Sequence, residues 1–175
     1  MTDEQTPPRT TRRRPASRAE AAALSSAVRL RIIRLTVNRA LTNKEIAQRL
    51  GKDPATTLYH VRKLVATGFL VAQPERSGAR GSKEIPYLGT GLSWRLSGAA
   101  KDPDIVQAML AAYLGEIADL EPGELKQTRL VVQLDDTAIG EFTDRLNKLL
   151  EEFAARPSMP DGRELGIYVA WYPSR

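Results

Sequence analysis

The stretch LTNKEIAQRLGKDPATTLYHVRKLVATG, residues 41–68, carries start and stop signals for two helices only a turn apart. Thr42 and Glu45 have the spacing of a capping box: the Thr hydroxyl can accept the Glu45 N–H while the Glu45 carboxylate accepts the Thr42 N–H. Leu41 and Ile46 stand where a hydrophobic staple belongs. Ile46 and Leu50 point inward, and Ala47 is small enough to let another helix cross closely. Gly51 supplies the left-handed residue that ends the first helix. Two residues on, Asp53 can cap a second helix whose first position is Pro54, where the missing N–H costs nothing. Thr57, Val61, Leu64 and Val65 make its inner stripe, with Leu58 at the edge and Gly68 as the stop. Two helices joined this tightly must cross each other, which is a helix-turn-helix.

The flanks extend the unit. Residues 1–23 are polar and rich in Pro, Thr and Arg, the composition of a disordered basic arm. Leu24, Val28, Ile32 and Leu35 then recur at helical spacing. After Gly68, FLVAQ (69–73) and IPYL (85–88) read as strands around the loop PERSGARGSKE (74–84), a hairpin with a basic tip. LSWRL (92–96) either extends the second strand or starts a third. Residues 24–97 are thus expected to form a winged helix-turn-helix domain. In 98–175, Asp102 caps a helix over 104–120 with paired apolar residues, a wide apolar face. TRLVVQL (128–134) reads as a strand, 139–156 as a helix and ELGIYVAWY (164–172) as a second strand. The expected fold is mostly α with small β: the winged domain followed by a small helix-strand-helix-strand (α+β) domain.

Charge separates the same two regions. The 175 residues have 26 Lys and Arg against 21 Asp and Glu, a net +5. Residues 25–97 hold 13 basic and 4 acidic side chains, whereas 98–175 hold 8 basic and 14 acidic. A basic segment beside an acidic one suggests two units with different partners. There are no cysteines and one histidine, so disulfides, thiolate metal sites and nucleophilic triads lack their parts. GARGSKE has neither the spacing nor the following helix of a phosphate loop, and GTGLSW is a Gly pair breaking a strand. Asp135, Asp136 and Glu141 fit helix capping better than cation binding. The expectation is a non-enzyme without cofactor or metal. No apolar run approaches the ~18–20 residues of a membrane span, and no secretory h-region is present, so the expected location is cytoplasmic.

The second helix turns Ala55, Thr56, Tyr59, His60, Arg62 and Lys63 away from its inner stripe. Small residues near its start permit close approach to a base edge, Thr, Tyr and His can hydrogen-bond there, and Arg62 and Lys63 can reach bases or phosphates. Arg76, Arg80 and Lys83 of the wing, with Arg12, Arg13 and Arg14 of the arm, would add contacts to the backbone or a neighbouring groove. The reading that follows is double-stranded DNA as partner. Two others stay open: a protein-interaction module whose basic face meets an acidic partner, and a chromosome-associated protein that binds DNA without sequence preference. Trp171, Tyr168 and Tyr172 could line a pocket or simply fill a core; no effector is identified. The surplus apolar face of helix 104–120 (Met109, Leu110, Tyr113, Leu114, Ile117) is the expected interface of a homodimer.

LTNKEIAQRLG and ATTLYHVRKLVATGFL carry a resemblance as well. Residues 24 to about 97 resemble the arsenic-repressor-type (ArsR-like) winged helix-turn-helix family of bacterial transcription regulators. That resemblance implies a homodimeric regulator, a repressor, on a pseudo-palindromic operator, with Thr56, Tyr59, His60 and Lys63 toward the groove. The lack of cysteine, and a single histidine on the reading helix, depart from that family's metal-sensing branch.

Overall fold

A computed structural model describes residues 13–78, 81–98, 101–159 and 161–174. They divide into two compact units, one from Arg13 to Leu125 and one from Lys126 onward. In the first, the elements run β1 (Arg14–Pro15), α1 (Arg18–Leu24), α2 (Ala27–Leu35), β2 (Leu41–Thr42), α3 (Asn43–Leu50) and α4 (Pro54–Ala66). There follow β3 (Leu70–Ala72), β4 (Arg76–Ser77), β5 (Lys83–Glu84), β6 (Pro86–Gly89), β7 (Leu96–Ser97) and α5 (Pro103–Ile117). The second unit contains α6 (Asp136–Ala154). No helix among the described residues is long and apolar enough to cross a membrane.

The helix-turn-helix forms where its caps place it. Thr42 Oγ1 accepts the Glu45 N–H at 3.2 Å, and Glu45 Oε2 accepts the Thr42 N–H at 2.7 Å. Gly51 ends α3 at φ 61°, a conformation a side chain would strain. Ile32 of α2, Ile46 of α3, Val61 and Leu64 of α4, Phe69 and Ile105 of α5 share the core and are essentially without exposed surface. Each such burial is worth ~1.5–3 kcal/mol, enough to fix the crossing of α3 over α4. Val65, expected in the buried stripe, lies at the rim and is partly exposed.

The sheet has the order β2-β6-β3, all antiparallel, with Leu41 opposite Tyr87 and Leu70 opposite Gly89. Gly89 N–H donates to the Thr36 carbonyl at 2.9 Å, and a Cβ there would sit 3.3 Å from that oxygen. Glycine therefore lets β6 abut the end of α2. β4 and β5 pair as the outer part of the wing. The unit is a winged helix-turn-helix, as the pattern of caps and strands implied.

Four local expectations change. Within the expected arm, residues 1–12 lie outside the described residues and 13–23 are structured: β1 pairs in parallel with β7, and Ser17 caps α1 with a full capping box. The stripe from Leu24 to Leu35 is broken at Ser25 and Ser26 into α1 and α2, where one continuous helix was expected. LSWRL is neither extension nor third strand of the main sheet; Leu92–Arg95 is a 3-10 turn leading into β7. The fourth change concerns the boundary, which falls after Leu125 rather than at residue 97. Helix α5 does start at the Asp102 cap, but its Ile105, Ala108 and Ala112 are buried and it packs on α1 and α2. Arg34 Nε meets Glu116 Oε2 at 3.1 Å across that contact.

In the second unit, Asp135 caps α6 by accepting the Ala138 N–H at 2.8 Å. No strand is present at 128–134 or 164–172, in contrast to the helix-strand-helix-strand order expected. Both segments have strand-forming composition, but they make no ladder with each other.

The Arg14–Glu20 pair generates a prediction. Arg14 Nη2 and Nη1 donate to the two Glu20 oxygens at 2.5 and 2.9 Å, and the Ser17 N–H adds a third bond at 2.7 Å. The Arg14 guanidinium first, then the Ser17 amide, hold the Glu20 carboxyl down at about 2 against an ordinary 4.5. A depressed folded-state value means stability that is present above pH 4.5 and lost as pH falls toward 2. Glu20→Gln should therefore melt below the parent at pH 7, with the gap closing between pH 5 and 2 in a thermal-melt series. A second expectation concerns the first cap: Thr42→Ala should cost ~1 kcal/mol in urea unfolding, the usual worth of such a cap.

Candidate nucleic-acid interface

The most distinctive surface is the outer side of α4. Asp53 Oδ1 accepts the N–H groups of Ala55 and Thr56 at 2.9 and 3.1 Å, and Thr57 Oγ1 donates to the Asp53 carbonyl at 2.9 Å. That first turn is closed by its own residues, and Thr57, Val61 and Leu64 are anchored in the core. Ala55, Thr56, Tyr59, Arg62 and Lys63 consequently all face outward, with Tyr59 65% exposed. The helix contains no acidic side chain, and the one acid at its start is occupied as the cap.

His60 differs from its neighbours. It is half-buried, its ring lies edge-on to Tyr59 with centroids 5.4 Å apart, and its Nδ1 is enclosed without a hydrogen-bond partner. Burial first, then the positive charges of Arg29 and Lys52, hold its pKa below 6.5. The imidazole is therefore neutral at pH 7 and can offer a hydrogen bond rather than a charge.

Two cations that the sequence pattern did not single out belong beside α4. Asn43 Nδ2 donates to the Pro54 carbonyl at 2.9 Å and ties the start of α3 to the start of α4. Lys44 in the first turn of α3 and Lys52 in the interhelix turn are thereby brought to that end, and both are exposed. Neither makes an ion pair among the described residues, and the same holds for Arg62 and Lys63. Position relative to the caps at Thr42 and Asp53 was the signal that could have found them.

The wing and the arm are more constrained than expected. Arg76 Nη2 is 2.8 Å from Glu45 Oε1, so the carboxylate that closes the α3 cap also holds the wing. The Thr42 amide is the main reason that carboxyl sits below its ordinary pKa. Lys83 Nζ is 3.3 Å from Glu75 Oε2. Arg80 and Arg12 lie outside the described residues. Arg13 stacks over the Trp94 ring at 4.7 Å, and Arg14 is bonded to Glu20, so neither is an unengaged charge.

Further basic residues of 25–97 also serve the fold. Arg29 donates to the carbonyls of Ala22 and Ala23 at the end of α1, and Arg95 donates to the Thr90 carbonyl. The local excess of positive charge is therefore not one patch; Lys44, Lys52, Arg62 and Lys63 are the exposed part of it that lies on α4 and at its start. On α5, Met109, Leu110 and Leu114 are exposed, while Tyr113 and Ile117 are half-buried. Trp171 lies edge-on to Phe142 of α6, with centroids 6.0 Å apart.

This surface is a protruding helix with small residues at its start, hydroxyl and imidazole groups in the middle and two cations beyond. Its width suits a B-DNA major groove of about 12 Å.

Comparison with known proteins agrees with the motif at the level of the domain. The pattern of a helix-turn-helix domain family matches residues 24–72. It does not single out the arsenic-repressor-type branch. No curated protein matches the chain. Among solved structures, reduced HlyU from Vibrio cholerae is 16% identical with a TM-score of 0.37, covering 55% of this chain and 84% of HlyU. ZitR from Lactococcus lactis is 18% identical with a TM-score of 0.34, covering 76% and 86%. The transcriptional regulator SlyA is 16% identical with a TM-score of 0.33, covering 72% and 75%. These likenesses are loose and add nothing to the fold already described; the match over residues 24–72 marks the chain as one that carries a helix-turn-helix domain.

Proposed function

We propose that the protein is a sequence-specific DNA-binding transcriptional regulator that inserts α4 into the major groove. The observation that carries this reading is the division of α4: a wholly buried stripe on one side, and on the other an acid-free surface of Ala55, Thr56, Tyr59, His60, Arg62 and Lys63. Tyr59, Thr56 and neutral His60 are suited to base edges. Lys44, Lys52, Arg62 and Lys63 are suited to phosphates, whose neutralisation releases counterions. Arg76 and Lys83 would join the phosphate contacts only by exchanging their carboxylate partners. Arg80 and Arg12 complete the proposed basic set, whereas Arg13 and Arg14 hold the arm to the domain.

The regulator acts, in this reading, as a cytoplasmic homodimer and a repressor. The repressor role follows the resemblance to arsenic-repressor-type regulators. The dimer is supported by α5, which buries one apolar side against α2 and leaves Met109, Leu110 and Leu114 outward, with Tyr113 and Ile117 at the edge. A two-fold arrangement would present two copies of α4 to two half-sites.

The roles separate by mutation. Against a duplex enriched from a random pool, Tyr59→Ala or His60→Ala should lower the ratio of specific to scrambled binding by about tenfold, a loss of ~1–3 kcal/mol per base contact. Lys52→Ala should instead weaken binding to both duplexes alike and reduce the salt slope by about 1. Equal losses on every sequence for the α4 variants would overturn the division and favour binding without sequence preference. No binding of the parent protein to any duplex, even at low salt, would point to a protein partner instead.

A further inference from the structure

The second unit exposes what a folded unit normally buries. None of its described residues is buried, and fourteen large apolar side chains between Leu130 and Tyr172 are each at least 43% exposed. Summed over these side chains, the exposed surface is on the order of 1,000 Å², comparable with the ~800 Å² that each partner contributes to a stable complex.

The backbone carries the same deficit. TRLVVQL (128–134) and ELGIYVAWY (164–172) are rich in β-branched and aromatic residues, yet neither takes part in a ladder. Strand-forming segments outside any ladder among the described residues can pair their backbone with another chain. Within the unit, Trp171 rests edge-on against Phe142 of α6, so the second segment already touches the helix that would cover a sheet. Ile139, Phe142, Leu149 and Phe153 of α6 remain exposed.

We infer that this unit is completed by the same unit of a second copy, with segments 128–134 and 164–172 joining an intermolecular sheet under the two α6 helices. A second copy supplies strand segments in kind, as a two-fold interface between like surfaces requires. Charge permits it: residues 126–175 hold seven basic and eight acidic side chains, so two copies meet almost without net repulsion. The acidity of the region after residue 97 resides mainly in 98–125, which lies in the first unit. The inference does not depend on DNA binding, and it concerns a surface distinct from the outward side of α5.

Amide hydrogen exchange of the full chain, followed across protein concentration and paired with sedimentation mass, reads the proposal directly. Amides of 128–134 and 164–172 should be protected about tenfold or more where the chain is dimeric, and lose that protection on dilution. Val132→Asp combined with Ile167→Asp should reduce the association without unfolding the monomer, because both side chains are more than half exposed in the single chain. Fast exchange of both segments in a dimeric sample would overturn the proposal, because the second copy would then sit elsewhere. Protection that persists in the monomer would overturn it as well, showing that the chain covers these segments itself.

Discussion

The crossing of α3 over α4 is the constraint on which the rest of the first unit depends. The three residues Gly51, Lys52 and Asp53 leave no slack, so the angle is set by Ile46, Val61 and Leu64 meeting in the core. Once it is set, α4 can bury only one stripe and must hold the remainder of its surface outward. Asp53 closes the start of that helix and removes the only acid from its approach. Glu45 then links the crossing to the wing, since one oxygen completes the α3 cap and the other holds Arg76. Glu45 is thus shared between a part-buried cap and a solvent-exposed ion pair with the wing.

Charge in the first unit has two uses, and composition alone merges them. Arg14, Arg29, Arg34, Arg76 and Arg95 bond carboxylates or carbonyls within the fold, where planar multidentate donors are effective. Lysines at positions 44, 52 and 63, with Arg62, are left exposed beside the turn and on the outer side of α4. A charged patch that attracts a polyanion needs cations whose pairing is still available, so these four carry more of the electrostatic reading than the larger total of the segment.

What could be read from sequence was local and had a chemical marker. Thr42 with Glu45, Gly51, Asp53 with Pro54, and Asp102 with Pro103 each located a helix end that the structure shows. The same capping-box spacing at Ser17 and Glu20 was present but hidden in an Arg-rich, Pro-rich stretch, and α1 was missed with it. The break at Ser25 and Ser26 escaped because the apolar spacing continues through it. Assignment of α5 to the first unit depends on what its Ile105 and Ala108 touch, and no periodicity encodes that. The engagement of Arg76 by Glu45, 31 residues away, is a tertiary event of the same kind. At 128–134 and 164–172 the composition demanded strands, but a strand needs a partner, and sequence cannot say which chain provides it.

The central claim is that α4 reads DNA sequence. Selection of full-length protein on a random duplex pool, followed by anisotropy of the enriched duplex against a scrambled one over a salt series, tests it most directly. The account predicts enrichment of a defined, two-fold-related site bound ~10³-fold or more tighter than its scrambled counterpart at moderate salt. No enrichment, with equal and steeply salt-dependent binding of every duplex, would contradict it.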